Sequence, residues 1–174
     1  MRTRLAAFAV LAALSVAAVV AAAAAARTPL PARAQGTGTQ PTSGGGSVAG
    51  APFRVRSAYA FQDGYGDINV FLMSKKSSCH AATEEDVPYV WVYLYTAGHP
   101  LPVGKAVSAG SVLVNFTTKT GRFAVRKGVS LLLSRVDASS KGVWHGTLKV
   151  AKQRVSGSSV AYQGSFAARW CGQR

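Results

Sequence analysis

Acidic side chains are the scarcest chemistry in this chain. Six Asp and Glu stand against twenty Lys and Arg among 174 residues, a formal net charge of +14. So few carboxylates, with three His, two Cys and two Met, leave little from which to assemble a carboxylate pair, a metal set or a thiol centre. The motifs that would organise such groups are missing as well. No C-x-x-C or H-x-x-x-H spacing offers a metal face, and no G-x-S-x-G frames a serine. Helical periodicity is also absent, since no stretch carries an apolar stripe at 3.6-residue spacing. These absences count against an enzyme and against a resident metal or cofactor. They turn attention to binding through surface charge and aromatic rings.

The one long hydrophobic run stands at the start. Arg2 and Arg4 precede the uncharged stretch 5–26, and Ala32-Arg33-Ala34 follows as an A-x-A site. That is the layout of a secretory signal peptide, 1–34, and it predicts an exported chain, periplasmic or secreted; the Ala, Gly, Val and Arg bias suggests a bacterial source. The run is just long enough to cross a bilayer uncut, so a membrane-anchored leader is the alternative. Alanine gains little from hydrocarbon, which favours cleavage and leaves no transmembrane segment. Residues 35–52 (QGTGTQPTSGGGSVAGAP) carry no charge and no aromatic ring. Such a segment cannot bury enough apolar surface to offset its chain entropy, so it reads as a flexible, disordered tether. The folded unit expected is 53–174, the size of one domain.

Charge is unevenly spread over that unit. Residues 35–86 hold four basic and five acidic side chains, whereas 87–174 hold twelve basic ones against Asp137 alone. A field of that sign concentrates polyanions such as anionic lipid, lipopolysaccharide, teichoic acid or, without sequence specificity, nucleic acid. Lys119, Arg122, Arg126, Lys127, Lys149, Lys152 and Arg154 are the candidate contacts. The plainer reading is that they only solvate outward strand faces.

Alternation and β-branched residues dominate from residue 53 onward. Segments 53–62, 67–74, 89–96, 111–118, 129–136, 143–150 and 160–170 each read as a strand, with Asp63-Gly64-Tyr65-Gly66-Asp67 and 137–142 (DASSKG) as turns. Seven or eight short strands bury their apolar faces as one antiparallel β-sandwich or small barrel, so the fold class expected is all-β. Asn115-Phe116-Thr117 fits a glycosylation sequon, which matters only in a eukaryotic secretory pathway. Glu84-Glu85-Asp86 reads as a solvated loop.

Cys79 and Cys171 are the only cysteines, and an even pair in an exported chain is most economically a disulfide. Closing so long a loop removes denatured-state entropy worth about 4 to 5 kcal/mol in the loop-closure model. The competing reading makes ligands of Cys79-His80, His99, His145 and Cys171, without metal-site spacing. His145 shares its strand phase with Thr147 and Lys149, opposite Trp144, Leu148 and Val150, and is expected to point to solvent.

Tyr89, Trp91, Tyr93 and Tyr95 alternate with Val90, Val92 and Leu94, so one face of this strand is aromatic and the other aliphatic. If the aliphatic face is inside, the rings form a platform for sugars or unpaired bases. If the aromatic face is inside, they are core.

Tyr162-x-Gly164-x-Phe166-x-Ala168-x-Trp170-Cys171, after the arm 143–150, resembles the closing hairpin of small exported bacterial β-sandwich proteins of unknown function. Leu72-Met73-Ser74 ahead of Cys79 is similar to their strand before a loop cysteine. The resemblance spans about a third of the domain. It implies a fold and a disulfide and brings no activity. Three function classes follow: a non-catalytic envelope or secreted module binding anionic polymers or lipids, a carbohydrate-binding module using strand 89–95, and a small hydrolase.

Overall fold

The computed structural model describes residues 43–79, 88–108 and 110–174, which form eleven strands and no helix. Residues 1–34, read as a signal peptide, 35–42 of the expected tether, His80 and Glu84-Glu85-Asp86 lie outside the described residues. In chain order the strands are β1 (Ser43–Val48), β2 (Ala51–Arg54), β3 (Ser57–Gln62), β4 (Ile68–Met73), β5 (Tyr89–Leu94) and β6 (Ala106–Ser108). They continue as β7 (Val112–Thr118), β8 (Gly121–Val125), β9 (Val129–Arg135), β10 (Val143–Val155) and β11 (Ser158–Gln173). Among the described residues there is no helix long and apolar enough to cross a membrane.

Strand β11, sixteen residues long, organises the sheet. Along one edge it pairs antiparallel with β10, through the tight hairpin at Ser156-Gly157, where both residues adopt positive φ as a type I′ turn requires. Its other edge is divided between two partners. Val160 to Ser165 pair antiparallel with β1, and Arg169 to Gln173 pair parallel with β3. The sheet therefore forks. Its main path runs β6-β9-β10-β11-β3-β4-β5-β7-β8, with β1 and β2 as a branch. The all-β class stands, but a sandwich or barrel of seven or eight strands is corrected to one continuous eleven-stranded sheet, curled on itself and open.

Residues 43–52 correct the tether. They form β1, the β1–β2 turn and the start of β2, with Val48 and Phe53 buried in the core. The glycines here answer to close approach rather than flexibility. A Cβ on Gly46 would strike the Ala161 carbonyl, and one on Gly44 would strike the Tyr162 hydroxyl.

Alternation then decides what lies inside. Val70, Leu72, Val90, Val92, Val114, Leu131, Leu133 and Leu148 face inward and are essentially inaccessible. Trp144 and Trp170 stack in the same core, centroids 4.7 Å apart, and Trp144 Nε1 donates to the Asp137 carbonyl at 3.1 Å. Asn115 is also buried, so the sequon is a strand interior.

Candidate binding face

With Val90, Val92 and Leu94 in the core, period-2 geometry sends Tyr89, Trp91, Tyr93 and Tyr95 to the outer face of the sheet. The neighbouring strands extend this aromatic character. Register sets Phe71 opposite Trp91, and Tyr59 opposite Phe71. Phe61 and Phe71 lie parallel with centroids 5.8 Å apart, and Phe71 and Trp91 repeat the arrangement at 5.9 Å. An arginine closes each end of this three-ring row. The Arg174 guanidinium lies 5.1 Å from the Phe61 centroid and that of Arg122 lies 6.0 Å from Trp91, within cation–π range.

The three rings of β5 and Tyr95 just beyond it are not equally available. Tyr89 is buried with Tyr59 and Met73 in a second apolar cluster, against which Phe71, Trp91 and the two cysteines pack. Trp91 and Tyr93 are half-buried, and Tyr95 is 38 % exposed. The platform's centre is thus Phe61, Phe71 and Trp91, running across strands rather than along β5. The sequence pattern does not single out Phe61, Phe71 and Arg174, although folding 57–73 about the Asp63–Asp67 turn puts Tyr59, Phe61 and Phe71 on one face.

A polar network fixes the rings from one side. Trp91 Nε1 donates to Asn69 Oδ1 at 2.9 Å, and Asn69 Nδ2 donates to Asp63 Oδ2 at 3.2 Å. Tyr93 donates its hydroxyl to Asp67 Oδ2 at 2.8 Å and stands 3.1 Å from Asp63 Oδ2. Asp63 Oδ1 accepts the Tyr65 and Asp67 amides, and Asp67 Oδ1 accepts the Thr96 amide at 2.7 Å. Burial by itself raises the pKa of Asp67, but donors from Thr96, Tyr93 and Ala97 outweigh it and hold the carboxyl below its ordinary value. Desolvation by burial, and then the same two carboxylates, push the Tyr93 hydroxyl upward. A hydrolytic pair needs one carboxyl with a raised pKa to act as acid. Asp67 is shifted the other way, and both groups are occupied in holding rings and turns.

Cys79 and Cys171 form a disulfide, with S–S 2.03 Å and Cα atoms 5.6 Å apart. The bond fastens the end of β11 beside this face, where the Arg174 amide donates to the Gln62 carbonyl at 2.9 Å. Among the described residues no three His, Cys, Asp or Glu side chains gather as a metal site.

All seven basic candidates are exposed, but the fold divides them. Arg122 belongs to the aromatic face, with Lys119 in the adjoining β7–β8 turn. Arg126 and Lys127 lie in the β8–β9 turn, which is tied to the β10 irregularity by Gln153 Nε2 to the Lys127 carbonyl at 2.9 Å. Lys152 and Arg154 flank that glutamine. Lys149 stands apart on β10, opposite Ser130 and Gln163.

His145 keeps the expected phase but is 6 % exposed, a correction to its solvent-facing assignment. Burial, then the charge of Arg135, lower its pKa. No family model matches this chain, and no curated protein or solved structure matches it.

Proposed function

We propose that this chain is an exported, non-catalytic binding module that holds an anionic polymer on the outer face of β3, β4 and β5. The observation that carries the reading is the row Phe61, Phe71 and Trp91, with Arg174 at one end and Arg122 at the other. Rings alone suit neutral sugars and arginines alone suit any polyanion. Together they suit a chain of sugar rings that stack through their C–H faces and bear carboxylate or sulfate groups, as in an acidic polysaccharide. The signal-peptide layout of 1–34 supports export, where such polymers occur.

Isothermal titration of a polyuronate, a sulfated dextran and a neutral glucan tests this reading. Trp91→Ala should weaken polyuronate binding about tenfold or more, the cost of one lost stacking contact. Binding should also fall steeply with salt, because each anionic contact releases a counterion. Unchanged polyuronate affinity in the folded variant would overturn the proposal.

A second reading, a module for neutral carbohydrate, is favoured by the exposure of Tyr95 beside the half-buried Trp91 and Tyr93. Equal affinity for the neutral glucan, insensitive to salt, would select it.

A further inference from the structure

Strands β9, β10 and β11 contain no acidic residue, and their register brings basic side chains together on the outer face. His145 on β10 lies opposite Arg135 on β9 and opposite Ala167 on β11. Arg169 is two residues beyond Ala167 on the same face, itself opposite Val143 and Tyr59. The β9–β10 register shifts between His145 and Gly146, and beyond that irregularity Arg135 stands directly opposite His145. Directly opposed residues have Cβ atoms about 5 Å apart and diagonal neighbours such as Arg169 about 7 to 8 Å, distances that an arginine side chain spans. Lys149 is the next charged residue along β10.

One ring nitrogen of His145 lacks a partner. Its Nδ1 is buried without a hydrogen bond, although the residue points away from the core that holds Trp144 and Leu148. The hydroxyl of Tyr59, across from Arg169, is buried and unpaired as well. Buried polar atoms are nearly always paired, and two exceptions beside one arginine call for a cause. The surrounding charge is positive on both sides, so the group that would complete this place is negative.

We infer that Arg135, His145 and Arg169 form an oxyanion-binding site, taking a carboxylate, sulfate or phosphate group. Planar guanidinium groups bind such oxygens through paired N–H donors, and the imidazole adds one N–H between them. An anion there offsets the repulsion between His145 and Arg135, which favours the protonated ring. The site lies on the same outer face as the Phe61–Phe71–Trp91 row, through Tyr59, but needs neither that row nor a polymer.

NMR of the histidine ring protons in the full chain tests the inference, with inorganic phosphate, sulfate and acetate titrated at constant ionic strength against chloride. The pKa of His145 should move upward and saturate with the oxyanion, while the exposed ring of His99 serves as the control for non-specific ion effects on its resonances. The strongest of the three ions tells carboxylate from sulfate or phosphate as the source. Arg169→Gln, at an exposed position, should raise the half-saturation concentration about tenfold, as should Arg135→Gln. Trp91→Ala should leave the shift intact, which separates this site from the polymer face. A His145 that ignores all three ions, or whose resonances respond no more than those of the control ring, or whose shift survives both arginine substitutions, would overturn the inference.

Discussion

His145 and Asp67 are buried to different degrees, and both titrate below their ordinary values, 6.5 and 3.8. A group whose folded pKa is depressed lets the unfolded chain take up protons first. Its contribution to stability is complete above the unfolded value and is lost as pH falls toward the folded one. The melting temperature should therefore decline first below about pH 6.5, from His145, and again below about pH 4, as Asp67 is protonated and its acceptor role fails. Differential scanning calorimetry across pH checks both steps. His145→Gln should remove the upper step and leave the lower, whereas a protein equally stable at pH 5 and 7 would contradict the burial argument.

Strand β1 is where element-level reasoning diverged most from the fold. Gly44 and Gly46 lie against Tyr162 and the Ala161 carbonyl with no room for a Cβ. Gly46→Val should therefore cost about 1 to 3 kcal/mol or more, as overpacking does, measured by chemical denaturation. A true tether would tolerate it within about 0.5 kcal/mol. The difference was not legible because glycine in a linker and glycine beneath a neighbouring backbone look alike in composition. The alternating strands were legible: the expected 67–74, 89–96 and 129–136 contain Ile68–Met73, Tyr89–Leu94 and Val129–Arg135. The orientation of β5 stayed open, since both of its faces are apolar and only contact with β4 and β7 selects the aliphatic one. The fork at β11 was equally hidden, because sharing one edge between β1 and β3 is a long-range fact that no local pattern carries.

At the scale of the molecule, the Cys79–Cys171 bond ties the end of β11 to the segment after β4 and borders the aromatic face. Replacing both cysteines with serine should cost about 2 to 5 kcal/mol in unfolding free energy. Polymer affinity should fall too, because Arg174 is held over Phe61 by the segment that follows Cys171. Unchanged stability in the double variant would show that the sheet closes this end unaided. The three tryptophans divide between the two faces, Trp144 and Trp170 in the core and Trp91 half-buried in the ring row. Their indole N–H resonances therefore report which face meets a ligand. On titration with a polyuronate, the Trp91 signal should shift and saturate while those of Trp144 and Trp170 remain in place. A Trp91 signal that stays fixed under saturating polymer would contradict the assignment of the binding face.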